Sequence, residues 1–140
     1  MMIQAILIPL FVEVALTFAL LFGMAGLRTR DIKSGAVDRR RIALREPNWT
    51  GRTTQFMNAF ANQFEVPVLF YVLVILLIVL HHAGWLYVIL AWIFVLFRIL
   101  QAGIHVTANN MLWRGQAYAV SVVVLFVMWV IFAIEILTGT

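Results

Sequence analysis

Polar side chains recur at helical spacing inside an apolar stretch in the first half of the chain. They follow one another at steps of three, four and three residues: Gln55, Asn58, Asn62 and Glu65. On one continuous helix these four side chains would share a face. A single charged side chain at the centre of a bilayer costs about 2.5–3.5 kcal/mol on insertion scales, so we expect this stripe to face protein or a wet cavity.

Two later segments carry polar stripes of the same kind. The first comprises Arg98, Gln101, His105 and Asn109, and the second comprises Arg114, Tyr118 and Ser121. The three stripes together offer both signs of charge, amides, an imidazole and a phenol, which suit a small charged ligand from the cytoplasm and an apolar one from the lipid. The alternative is that the charges only hold a helix bundle together, with His105 a hydrogen-bonded core residue rather than a proton shuttle.

Three charged residues fall deep inside apolar segments and need partners there. Antiparallel spans would bring Glu65 and Arg98 to similar depths, and Glu13 lies about 15 Å into the first segment at helical rise. An ion pair between Glu65 and Arg98, shared with Glu13, is the simplest way to bury all three charges. We therefore predict a structural Glu65–Arg98 pair.

The residue types of the chain give little support for metal or thiol chemistry. The chain has no cysteine, so it has neither a thiolate metal site nor a nucleophilic thiol of its own. The neighbours His81 and His82 have no third ligand nearby, and we interpret them as a turn at the membrane edge. We expect no metal, and any sulfur chemistry would need a thiol brought by a ligand.

The composition predicts an integral membrane protein. Of the 140 residues, 64% are hydrophobic and 11% charged, which leaves too little polar surface for a soluble domain. We expect an all-α, four-helix transmembrane bundle that forms a single domain over residues 1–140, with spans at about 3–27, 53–80, 85–106 and 112–137. The first apolar run is too long for a signal peptide and lacks a preceding basic region.

The charge distribution predicts the orientation of the chain. Residues 28–52 contain eight of the ten Lys and Arg residues, so this loop is expected in the cytoplasm and both termini on the other side of the inner or plasma membrane. Orientation and contact with lipid head groups explain the charge, and we expect no nucleic-acid binding. A short helix closed by Pro47 is expected within this loop, and Pro67 is expected to kink the second span.

The spacing of the motifs resembles the MAPEG superfamily, the membrane-associated proteins of eicosanoid and glutathione metabolism. The resemblance, to a divergent bacterial-type member, rests on Asn62-x-x-Glu65 followed by Pro67, on Arg98, and on Arg114-x-x-x-Tyr118. It implies a homotrimer of four-helix subunits that binds glutathione near the cytoplasmic side. Each site would be built from spans one and two of one subunit and spans three and four of its neighbour.

The same resemblance implies a role for each residue that carries it. Asn62 and Glu65 would hold polar groups of glutathione, with Glu65 at its amino group, and Arg98 would pair with Glu65. Arg114 would be the catalytic residue, stabilising the thiolate that attacks an electrophile. Tyr118 would hydrogen-bond the peptide.

Two positions depart from the family pattern and are expected in the same ligand site. Asn58 stands where glutathione-using members typically carry an arginine, four residues before Asn62, and His105 stands where an aromatic residue is common. Two function classes follow from these features. One is a glutathione-dependent transferase or peroxidase that acts on a lipophilic small molecule, either an electrophile or a lipid hydroperoxide. The other is a non-catalytic trimer with a structural, lipid-binding or accessory-subunit role.

Overall fold

The computed structural model describes residues 2–44, 49–108 and 110–139, which form helices and short connections. Their bounds are α1 Ile3–Ser34, α2 Arg39–Ala43, α3 Gly51–Asn62, α4 Val66–Val79, α5 Trp85–Val106 and α6 Met111–Thr138. Within the described residues, four helical segments are long and apolar enough to cross a membrane: α1, α3 with α4, α5, and α6. The predicted all-α bundle of four spans is confirmed. The predicted loop residues Arg45 and Pro47 and the stripe residue Asn109 lie outside the described residues.

The first helix continues seven residues beyond the predicted end of its span. It ends at Ser34, where Gly35 takes a left-handed conformation with a φ of 75° that favours glycine. Near this end Asp31 is buried and accepts hydrogen bonds from the Thr53 hydroxyl at 2.6 Å and from the Thr50 hydroxyl at 2.9 Å. These bonds fix the start of α3 against the end of α1.

The second span is interrupted rather than merely kinked. Helix α3 ends at Asn62, a turn covers Gln63 to Glu65, and α4 begins at Val66 with Pro67 in its first turn. Proline has no N–H and its ring clashes with the carbonyl four residues earlier, so the helix cannot continue through this point. The Gln63 amide donates to the Ala59 carbonyl at 3.2 Å, which satisfies a main-chain oxygen near the helix end.

An apolar core joins α1, α4, α5 and α6 in the half of the bundle away from the basic loop. Phe70 of α4 stacks on Phe94 of α5 with ring centroids 4.7 Å apart, and both are fully buried. Helices α5 and α6 are joined by a short connection, and Asn110 caps α6 by accepting from the Leu112 and Trp113 N–H groups. The polar stripes lie in the other half of the bundle, next to the basic loop.

Candidate functional site

A polar cavity of about 410 Å³ lies among α3, α5, α6 and the turn before α4. Its lining is Asn58, Asn62, Glu65, Gln101, His105, Arg114, Gly115 and Tyr118. All six residues that the sequence suggested for catalysis or ligand binding are therefore brought together. Gly115 was missed, since a glycine next to Arg114 gives no polar signal, and the stripe residues Gln55 and Ser121 are not part of the lining.

The residues that line the cavity come from spans two, three and four of the chain. The expectation that each site is shared between spans one and two of one subunit and spans three and four of its neighbour stays a prediction. Within the chain, the Arg98 guanidinium donates from Nη2 to the Asn62 carbonyl at 3.0 Å and so ties α5 to the end of α3.

Arg98 lies beneath the cavity rather than in its lining. It is fully buried, and its Cζ is 5.7 Å from the centre of the Tyr118 ring, a cation–π distance. The predicted direct pair with Glu65 is not formed among the described residues, where the only recorded acceptor for Arg98 is the Asn62 main-chain oxygen. Glu65 lies in the turn after α3, where its exposed carboxylate faces the cavity.

Two buried residues of α5 present unused polar atoms at the cavity. Gln101 Oε1 and His105 Nδ1 have no hydrogen-bond partner within the part of the chain that the structure describes, although Gln101 is 1% and His105 5% exposed. The hydrogen-bonded core histidine, which the sequence analysis gave as the alternative for His105, does not fit this Nδ1. Because buried polar atoms are nearly always hydrogen-bonded, both atoms are suited to a bound ligand or water.

The charges of the cavity are balanced. Glu65 supplies a carboxylate and Arg114 a guanidinium, while the other lining side chains are amides, an imidazole and a phenol. Arg114 lies near the start of α6 and Tyr118 one turn further along the same face. Such a cavity can hold a ligand that carries both an amino and an acidic group, with Arg114 beside any anion that forms.

An apolar groove of about 370 Å³ runs along α4 and α6. It is lined by Val66, Leu69, Val122, Leu125, Phe126 and Trp129. Val66 directly follows Glu65, and Val122 is one helical turn beyond Tyr118. The surface therefore changes from polar to apolar along one direction, which suits an amphipathic molecule or a polar ligand next to a lipophilic one.

His82, in the turn between α4 and α5, belongs to a separate cluster at the opposite end of the bundle. His82 Nδ1 lies 3.3 Å from Glu135 Oε2, and the Tyr87 hydroxyl donates to the same oxygen at 2.7 Å. Over residues 2–44, 49–108 and 110–139 there is no group of three side chains that could hold a metal ion. The cluster joins the start of α5 to the end of α6.

Comparison with known proteins addresses the fold and the family. No curated protein and no solved structure matches this chain. The MAPEG family matches it over residues 6–134, which includes the second and third membrane segments, most of the first and fourth, and every residue of the cavity. The chain is a multi-pass integral membrane protein that belongs to the MAPEG family.

Proposed function

We propose that the protein is a glutathione-dependent transferase or peroxidase that acts on lipophilic electrophiles or lipid hydroperoxides. It works as a homotrimer in the inner or plasma membrane, with both termini on the non-cytoplasmic side. The observation that carries this proposal is the convergence of Asn62, Glu65, Arg114 and Tyr118 in one cavity, with an apolar groove beginning at the residues next along α4 and α6. Polar and apolar reactants can thus meet at one place.

Each cavity residue has a role that follows from its chemistry. Glu65 binds the amino group of the peptide, and Asn58, Asn62 and His105 offer hydrogen bonds to its main chain. Tyr118 donates from its hydroxyl. Arg114 stabilises the thiolate through its fixed positive charge, as a cation beside a cysteine sulfur does in other proteins. Bound glutathione supplies the thiol that this cysteine-free chain lacks.

The volume of the cavity suits a peptide ligand, and its charge calls for a further cation from a neighbouring subunit. A volume of about 410 Å³ lies in the range typical of small-molecule sites. Glutathione carries two carboxylates and one ammonium group, whereas the cavity offers one guanidinium and one carboxylate. A second cation is therefore needed, and Arg28 or Arg30 at the cytoplasmic end of α1 in an adjacent subunit is suited to supply it.

The test is equilibrium binding of glutathione to the purified, detergent-solubilised protein, with Arg114→Ala as the matched variant. Micromolar to millimolar binding that is weakened by the substitution supports the proposal, and turnover of an electrophile should then be abolished in Arg114→Ala without loss of the trimer. Activity that survives this substitution refutes the role of Arg114. No binding at several millimolar glutathione refutes the thiol site.

A non-catalytic trimer is the second candidate, and Asn58 is the observation that favours it. Asn58 is exposed in the cavity at the position where glutathione-using members typically carry an arginine. A trimer with a structural, lipid-binding or accessory-subunit role would need the buried charges but not the missing cation. Purified protein that remains trimeric, binds phospholipid and does not bind glutathione would support this second function.

A further inference from the structure

Several buried polar atoms at the centre of the bundle have no hydrogen-bond partner in the described chain. They come from α1, the turn after α3, and α5: both oxygens of Glu13, Nε and Nη1 of Arg98, and Oε1 of Gln63. Glu13 and Arg98 are each 0% exposed, so neither can reach lipid head groups or bulk water. Buried charges are tolerated only when they are paired and hydrogen-bonded, which means that something must occupy this position.

Glu13 of α1 and Arg98 of α5 are opposite charges on helices that pack against each other, and no hydrogen bond joins the two side chains. The opposite charges of the two side chains attract each other across this contact. Both Glu13 oxygens nevertheless lack a hydrogen-bond donor among the described residues. A gap between a carboxylate and a guanidinium suits water, which donates to the first and accepts from the second.

We infer that the bundle centre holds a site for ordered water between Glu13 and Arg98, through which Glu13 acts as the counter-charge of Arg98. The inference goes beyond the proposed function, in which Glu13 has no role. It also explains why an acid occurs about 15 Å into α1, within its apolar stretch, where an unpaired carboxylate would oppose insertion.

Through Arg98 this water site reaches the polar cavity. The Arg98 guanidinium donates to the Asn62 carbonyl and lies against the Tyr118 ring, and both of these residues line the cavity. A change in the orientation of Arg98 would move the end of α3 or the Tyr118 ring. Glu13 is therefore a positioning residue for the cavity, although it lies outside its lining.

A double-mutant cycle tests the pairing of the two charges. Glu13→Leu and Arg98→Leu should each lower the apparent melting temperature in detergent by about 10 °C or more, because each strands a buried ion. The double variant should melt closer to the wild type than either single variant. The matched control combines Glu135→Leu with Arg98→Leu, whose effects should add because Glu135 lies at the far end of the bundle. Additive losses for Glu13 and Arg98 would overturn the pairing.

Infrared spectroscopy tests the water directly and requires no destabilised variant. Protein with ¹³C-labelled glutamate side chains is compared with Glu13→Gln, and the band lost in the variant is assigned to Glu13. That band should shift within minutes of transfer to deuterium oxide, since water reaches the carboxylate. A band that stays unshifted for hours overturns the water site, even where the cycle shows coupling. Neither measurement involves glutathione, so both can be interpreted even if the protein does not bind glutathione.

Discussion

The arginine missing from the cavity gives the sharpest prediction about its ligand. Asn58 lies on α3, one helical turn before Asn62, and its side chain is exposed at the cavity. Asn58→Arg places a guanidinium in a cavity that now balances one Arg114 charge against one Glu65 charge. Because the position is exposed, the longer side chain needs no rearrangement of the core.

The expected gain follows from the type of bond that is added. A hydrogen bond to a charged group contributes about 1.5–3 kcal/mol. At 1.4 kcal/mol for each factor of ten, Asn58→Arg should therefore tighten glutathione binding about 10- to 100-fold. The gain should shrink as salt is raised, since the new charge is only partly shielded from solvent.

The assay is a binding titration of glutathione against wild type and variant in the same detergent, at low and high salt. Gln55→Arg is the matched control: it adds the same charge on α3, three residues earlier, at a half-buried position outside the cavity lining. The control should leave the affinity within a factor of about two to three. Equal gains from both variants would mean attraction by net charge alone, and no gain from Asn58→Arg would refute the placement of a glutathione carboxylate near residue 58.

Two predictions concern the packing of the bundle. A Cβ at Gly23 would meet the Phe56 ring at 2.5 Å, so Gly23→Ala should destabilise the protein by about 1–3 kcal/mol, whereas Gly26→Ala, with open space around it, should stabilise it by about 0.5–1 kcal/mol. Thermal melts of both variants check the sign, and equal effects would contradict the close α1–α3 contact. Tyr87→Phe removes the 2.7 Å bond to Glu135 and should cost about 1.5 kcal/mol in a denaturant titration, with no effect on glutathione binding.

The sequence predicted the bundle and most of the cavity because both depend on spacing along single helices. The pairs Gln101 with His105 and Arg114 with Tyr118 are one turn apart on uninterrupted helices, so periodicity alone placed each pair on one face. Residues brought together from different helices were harder to predict. Whether Arg98 meets Glu65, Glu13 or a main-chain oxygen depends on how the helices are shifted along one another, and no spacing within one helix contains that information.

The interruption of the second span explains both the position of Glu65 and the hydrogen-bond acceptor of Arg98. The sequence indicated a kink at Pro67 but treated Glu65 as the last member of a continuous helical stripe. Because α3 ends at Asn62, Glu65 lies in the turn beyond the helix, and the Asn62 carbonyl accepts from Arg98. The break therefore leaves the Glu65 carboxylate exposed at the cavity, where the proposed ligand binds, and the inferred counter-charge of Arg98 is Glu13.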